Sequence, residues 1–180
     1  TENLTAYVTS SENDSDGYTL IYDWRKNGIS DNVLNMPFDV NGSNGNTANV
    51  KDYSSFSNNG TIITGITWNT SCGAFAGSGG CYEFNKTQGY ITIPDSMIDT
   101  SKPHSYSLWI NPKTLLGGSG VFGDTSGTDG TLFYMQSGNN ICAYYNNTAK
   151  ACSADITTDK FHYLSNDKIF QSITVIVSCS

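Results

Sequence analysis

Residues 51–112 read KDYSSFSNNGTIITGITWNTSCGAFAGSGGCYEFNKTQGYITIPDSMIDTSKPHSYSLWINP, and this stretch decides the fold. Apolar and polar residues alternate along short parts of it, such as residues 105–110, and alternation with a period of two is typical of β-strands. Turn-forming residues, among them Asn58, Asn59 and Gly60, separate these parts. The stretch therefore predicts short β-strands joined by turns.

The whole chain has the composition of a β-protein. Of its 180 residues 14% are charged, and it contains 19 Asn, 22 Ser, 20 Thr and 18 Gly. These residues favour strands and turns over helices. The length is enough to bury a substantial core, so we expect one main domain that is all-β.

A set of short motifs occurs in a characteristic order after the entry segment 33–39. The motifs are Lys51-Asp52-Tyr53-Ser54, Asn58-Asn59-Gly60-Thr61, Trp68, Gly80-Cys81-Tyr82-Glu83-Phe84, Ile91-Thr92-Ile93-Pro94 and Ser105-Tyr106-Ser107-Leu108-Trp109-Ile110-Asn111-Pro112. This order resembles that of laminin-G-like, concanavalin-A-like domains, over residues 33–165. The resemblance implies a two-sheet antiparallel jelly-roll sandwich, an extracellular setting, and adhesion or glycan recognition. Family members continue through further strands, so it also implies a shortened C-terminal end here.

Residues 1–32 differ from the rest of the chain. Segments 4–9 and 18–24 alternate with period two and are separated by an acidic turn. This pair resembles a fragment of an immunoglobulin-like or polycystic-kidney-disease-like domain. We therefore expect an N-terminal β-hairpin extension, residues 1–32, followed by the jelly roll, residues 33–180. Asp14 and Asp16 in the turn are weak calcium candidates, because a solvated turn explains them more simply.

Five cysteines predict two disulfides and one remaining thiol. Cys72 and Cys81 flank a glycine-rich loop, and Cys142 and Cys152 would face each other across a hairpin. Metal binding is the alternative, but the chain has no Cys-x-x-Cys spacing and only two histidines. Cys179 is left over, either as an inert residue or as a link to another chain.

Charge and hydropathy narrow the class of partner. The net charge of -7 opposes binding to a phosphate backbone, so we expect no nucleic-acid partner. No run approaches about 18 apolar residues, which predicts no membrane-spanning helix.

The chain begins at Thr1 without a leader. We interpret it as a processed, secreted protein, with a piece of a longer chain as the alternative.

Seven Asn-x-Ser/Thr sequons favour a glycosylated protein at the cell surface or outside the cell. They are Asn3, Asn13, Asn41, Asn59, Asn69, Asn85 and Asn146. The excess over chance is modest, because Asn, Ser and Thr are all abundant in this chain. Each site is therefore a hypothesis.

The sequence lacks the patterns of an enzyme active site. Glycoside hydrolases of this superfamily use two nearby carboxylates, whereas Glu83 is the only glutamate in the matching region, and we interpret it as an outward strand residue. No Gly-x-Ser-x-Gly elbow is present. His104 and His162 lack neighbours that would make them general bases. We expect a protein that is not an enzyme and needs no cofactor, with calcium left open.

Glycan binding is a further prediction, because aromatic rings together with Asn and Asp side chains hold sugars. The candidates cluster at one predicted hairpin and are Tyr144, Tyr145, Asn139, Asn140 and Asn147. Asp124 and Asp129 lie in neighbouring loops and are weak calcium candidates. The competing interpretation is that these aromatic residues pack in the core, as most do in a β-sandwich.

Two functions follow from these patterns. The first is a secreted, non-catalytic surface protein, structural or adhesive, that assembles with copies of itself, for example as an extracellular filament. Its basis is the pair of uncharged, strand-like ends, 4–9 and 173–177, because such segments add readily to an open sheet edge in a neighbour. The alternative is a monomeric, lectin-like module that binds surface glycans through its loops.

Overall fold

The computed structural model describes residues 21–38, 41, 49–70, 72, 80–85, 89–94, 105–115, 117–123, 131–136, 139–145, 148–160, 162–167 and 172–179. Within these residues the protein is all-β and contains no helix. The same residues accordingly hold no helix of the length and apolarity needed to cross a bilayer. The predicted fold class is correct at this level.

Fifteen strands in the described residues form four sheets. The two-stranded sheet contains β1 (Arg25–Lys26) and β2 (Ile29–Ser30). The six-stranded sheet contains β3 (Asn32–Met36), β6 (Ile66–Asn69), β7 (Cys81–Phe84), β9 (Ser105–Pro112), β14 (His162–Asp167) and β15 (Ser172–Cys179). The three-stranded sheet contains β4 (Asn49–Val50), β5 (Gly60–Thr64) and β8 (Tyr90–Thr92). The four-stranded sheet contains β10 (Ser119–Gly123), β11 (Thr131–Met135), β12 (Ile141–Tyr145) and β13 (Thr148–Cys152).

The first two strands form a tight hairpin through Asn27 and Gly28. Both residues have positive φ, 54° and 81°, and two-residue loops of this kind favour Asn-Gly because these residues adopt left-handed backbone at low cost. The amide of Ser30 donates to the hydroxyl of Ser55 (3.0 Å), and the amide of Ser55 donates to the hydroxyl of Ser30 (2.6 Å). These bonds attach the hairpin to the beginning of the predicted jelly roll.

The predicted N-terminal extension is only partly described. The segment 4–9 and the acidic turn lie outside the described residues. Residues 21–24, which the alternation places in a strand, belong to no sheet, and the first strand among the described residues begins at Arg25. The division of the chain at residue 32 remains a prediction.

Alternating burial along β9 shows which face of the six-stranded sheet is inside. Tyr106, Leu108 and Ile110 are buried, and the side chains between them are half-buried. Successive side chains of a strand point to opposite faces. The face opposite the core is called the outer face. On β9 it carries Ser105, Ser107, Trp109 and Asn111.

The C-terminal strand β15 lies in the middle of the same sheet. All eight of its residues pair with β9 on one side. On the other side its first half pairs with β3 and its last two residues with β7. All three pairings are parallel, whereas the other pairings among the described strands are antiparallel. The apolar run predicted at residues 173–177 therefore completes a sheet of its own chain.

One buried core links the six-stranded sheet to the three-stranded and four-stranded sheets. The ring of Tyr106 packs against Phe122 of β10 and Phe133 of β11, with ring centroids 5.3 and 6.1 Å apart. Gly60 of β5 lies against Ile91 of β8 and Met36 of β3, where an added Cβ would lie 2.6 Å from Cγ2 of Ile91 and 3.3 Å from the methionine methyl group. Glycine at position 60 therefore leaves room for the side chain of Ile91.

Asp52 is a buried carboxylate, 3% exposed, in the turn between β4 and β5. Its Oδ1 accepts hydrogen bonds from the amides of Asn35 and Ser54, both at 2.9 Å. Its Oδ2 accepts from the Ser54 hydroxyl (2.6 Å) and the Asn58 amide (2.8 Å). The backbone amide of Asp52 donates to Oδ1 of Asn59 (2.9 Å). The turn is built around this carboxylate, which also ties it to β3.

Two disulfides join Cys72 to Cys81 and Cys142 to Cys152, the pairs that the spacing predicts. The second links residues that are directly paired between β12 and β13, so the hairpin forms where it is predicted. Cys179 is the last residue of β15. Because structural disulfides persist in oxidising compartments, the two bonds favour such a compartment for this chain.

Removing the hairpin disulfide in the double variant C142S/C152S is expected to lower the free energy of unfolding by about 2 to 3 kcal/mol, because the bond restricts the unfolded chain. Its sequence separation is 10. Urea unfolding measures the loss. The variant C72S/C81S, in which the separation is 9, is the matched comparison and should lose a similar amount. Wild-type stability in C142S/C152S would contradict the prediction.

Candidate functional site

The predicted glycan-binding hairpin contains a tyrosine that is engaged within its own sheet. Tyr144 is half-buried, and its ring packs edge-on against Tyr134 of β11 with centroids 5.8 Å apart. The side-chain amide of Gln136 donates to the Tyr144 hydroxyl. Two residues that the sequence patterns did not point to therefore hold Tyr144 in place.

The other predicted glycan residues are separated along β12. Asn139 and Asn140 precede the strand, whereas Tyr144 and Tyr145 end it. Asn139 is exposed, and the buried Oδ1 of Asn140 has no hydrogen-bond partner among the described residues. Asn147 lies outside the described residues, as do the calcium candidates Asp14, Asp16, Asp124 and Asp129. The five-residue glycan site therefore stays a prediction.

Four of the seven sequons fall in the described residues. Asn41, Asn59 and Asn85 are exposed and Asn69 is half-buried, while Asn3, Asn13 and Asn146 lie outside the described residues. Nδ2 of Asn69, the atom that a glycan would modify, donates to Oε1 of Glu83 at 2.8 Å. Asn59 instead uses Oδ1, toward the amide of Asp52. A glycan at Asn59 is therefore compatible with this bond, whereas one at Asn69 would be attached to the atom that contacts Glu83.

An aromatic pair lies on the outer face of the six-stranded sheet. Trp109 of β9 and Tyr163 of β14 are directly paired residues, and their ring centroids are 5.1 Å apart at an interplanar angle of 46°. Trp109 is half-buried, whereas Tyr163 is 53% exposed. The pair presents an aromatic surface to solvent near the β14 edge of the sheet.

Polar side chains continue across the same face. Asn111 of β9 pairs with Ser178 of β15, which in turn pairs with Glu83 of β7. Because directly paired residues share a face, Asn111 and Glu83 both lie on the outer face, two strand spacings or about 10 Å apart. Glu83 accepts the hydrogen bond from Asn69 of β6. The outward orientation predicted for Glu83 agrees with this register.

One group of possible metal ligands occurs within the described part of the chain. It consists of Cys72, Cys81 and Glu83, whose ligand atoms lie within 4.8 Å of one another. Both sulfur atoms are joined in a disulfide, and metals bind the thiolate form of cysteine. Only the carboxylate of Glu83 is then left as a ligand. Hydrogen bonding and aromatic contact are the chemistry that this face offers.

The sequence patterns did not point to the aromatic pair or to its polar neighbours. The alternation along β9 indicates that Trp109 and Asn111 share a face, so that part of the signal is present in the sequence. The partner of Trp109 is not indicated, because Tyr163 is far along the chain and only the register of β14 brings the two rings together.

Comparison with protein-family models, curated proteins and solved structures finds no match to this chain. The features that bear on function are the central strand β15 and the outer face of the six-stranded sheet.

Proposed function

We propose that this chain is a secreted, non-catalytic surface protein, structural or adhesive in role, that assembles with copies of itself by strand addition between subunits, and that the strand involved is β15, exchanged between copies. The position of β15 carries the proposal, because the strand lies between β9 on one side and β3 and β7 on the other and is parallel to all three. The fold that we propose is a two-sheet laminin-G-like jelly roll, with β1 and β2 in an N-terminal extension.

A strand in this position is suited to exchange. Backbone hydrogen bonds join it to its neighbours, and β15 of another copy would form the same bonds in the same register. Without β15, the facing edges of β9, β3 and β7 would present unpaired amides and carbonyls, which are templates for strand addition.

Three features support an extracellular setting. Two disulfides are present in the described residues, and disulfides persist outside the cytosol. The chain carries seven sequons, which are modified in secreted and surface proteins. The resemblance of residues 33–165 to laminin-G-like domains points to the same location.

Strand exchange is tested by mixing two variants that each carry one unpaired cysteine, S107C and T174C, in a C179S background. Thr174 pairs with Ser107 across the β15–β9 ladder. A disulfide between the two variants can form at this register only when β15 of one copy lies beside β9 of the other. After joint refolding and mild oxidation, we expect a covalent dimer on a non-reducing gel.

The matched control pairs S107C with T61C. Thr61 lies in the three-stranded sheet, where it pairs with Asn49 and Thr92, so this mixture should give little dimer. Size-exclusion chromatography with light scattering of the wild type measures assembly independently. A wild type that stays monomeric, together with no S107C–T174C dimer above the control, would contradict strand exchange.

A second candidate function is glycan binding by the monomer. The exposed ring of Tyr163 beside Trp109 favours it, because aromatic surfaces flanked by amides and carboxylates suit sugars. This function needs no exchange of β15 and is compatible with an adhesive role.

A further inference from the structure

We infer that the outer face of the six-stranded sheet binds a neutral oligosaccharide, with Tyr163 and Trp109 at one end of the site and the Asn69–Glu83 pair at the other. The inference rests on the second candidate function, glycan binding, and is independent of strand exchange. The site differs from the predicted hairpin around Tyr144 both in its residues and in its sheet. A ligand that reaches both ends would cross β9, β15 and β7.

The aromatic end supplies a preorganised stacking surface. Sugar rings carry patches of C–H groups that pack on aromatic faces. Tyr163 is 53% exposed, so part of its ring is accessible. Its packing on Trp109 at 5.1 Å restricts the ring before any ligand arrives. A ring that is already held loses little conformational entropy on binding.

The polar end supplies both donors and acceptors. Nδ2 of Asn69 donates to Oε1 of Glu83 at 2.8 Å, and an amide beside a carboxylate can both donate to and accept from the hydroxyl groups of a sugar. Asn111 lies on the same face of β9, and the register through Ser178 places it between the two ends; its buried Oδ1 has no hydrogen-bond partner among the described residues. An elongated ligand with many hydroxyl groups and apolar ring faces matches this arrangement.

Charge selects a neutral sugar over an anionic one. Glu83 places a carboxylate within the site, and the chain carries a net charge of -7. A sulfated or uronic acid chain would meet repulsion from both. Lys113, two residues beyond Asn111, already forms an ion pair with Asp159 at 3.0 Å. Its charge is therefore largely offset by a partner of its own.

The test measures binding of three hexasaccharides to the full chain with both disulfides intact. Cellohexaose and maltohexaose are the neutral probes, and a heparin hexasaccharide is the anionic one. Saturation-transfer NMR detects contact, and titration of the Trp109 indole resonance gives the dissociation constant. We expect at least one neutral probe to bind with a dissociation constant of about 1 mM or tighter, and the heparin probe to bind more weakly.

Variants at Tyr163 assign the binding to this face. Removing the ring in Y163S should weaken neutral binding by about tenfold, while Y163F keeps the stacking surface and should stay within about twofold of wild type. The matched control is Y90S, because Tyr90 is 51% exposed on a strand of a different sheet. It should bind as wild type does.

Three results would overturn the inference: no binding of either neutral probe at millimolar concentration, equal binding by Y163S and wild type, or tighter binding of the heparin probe. Strand exchange is judged separately. The S107C–T174C dimer yield should be unchanged in a Y163S background. If β15 is not exchanged between copies, the sugar titration still tests the inferred binding site. If no sugar binds, the yield of the S107C–T174C dimer still tests strand exchange.

Discussion

Removing residues 172–180 is expected to abolish the cooperative unfolding transition of this protein. The deletion takes away β15, whose eight residues pair with β9 along their whole length. It also leaves the edges of β3 and β7 without the neighbour that they share. Each lost backbone hydrogen bond is worth about 1 kcal/mol. Their combined loss approaches the net stability of a small domain, about 5 to 15 kcal/mol.

Urea unfolding followed by near-ultraviolet circular dichroism measures this effect. Adding a synthetic peptide of residues 172–179, SITVIVSC, to the truncated chain is expected to restore a cooperative transition, because the peptide can enter the position of β15. The control peptide carries Val175→Pro, which removes a backbone donor from the middle of the strand. A truncated chain that unfolds cooperatively at the wild-type urea midpoint would show that β15 is dispensable and would contradict its central placement.

Replacing Asp52 by alanine is expected to lower the free energy of unfolding by about 3 to 5 kcal/mol, because buried hydrogen-bond donors lose a charged acceptor. The donors are the backbone amides of Asn35, Ser54 and Asn58 together with the Ser54 hydroxyl. The amide of Asn35 belongs to β3, so the loss also loosens the attachment of the turn to the six-stranded sheet.

Urea unfolding of two further variants gives the losses in the free energy of unfolding with which the loss in D52A is compared. D52N keeps the shape of the side chain and one acceptor oxygen, so it should lose less stability than D52A. K113A is the surface control, because Lys113 is exposed and its ion pair with Asp159 belongs to a class that contributes at most about 1 kcal/mol. If D52A were no less stable than K113A, the carboxylate would not organise the turn.

Local patterns predicted several elements that the structure contains. The alternation of residues 105–110 predicted a strand, and the structure contains it as β9. The spacing of Cys142 and Cys152 around a turn predicted a hairpin, and these residues are paired in it. Such predictions succeed because a strand and its adjacent turn depend on residues that are close together in the chain.

Other elements depended on strands that are distant in sequence. The apolar run 173–177 indicates a strand, but nothing in it distinguishes a sheet edge from a central position or a parallel from an antiparallel neighbour. Residues 21–24 alternate as a strand does, yet they belong to no sheet in the structure. Their alternation specifies a compatible local conformation, whereas strand pairing also requires a partner.

By itself, the sequence determined that this protein is built from short β-strands and that four of its cysteines lie at spacings suited to two short rings. Tertiary structure alone decided that β15 lies inside a sheet and that Trp109 and Tyr163 meet on its outer face beside a polar row ending at Asn69 and Glu83. The physical reason is that periodicity sets the face of each residue within a strand, whereas the register between strands far apart in the chain sets which residues become neighbours.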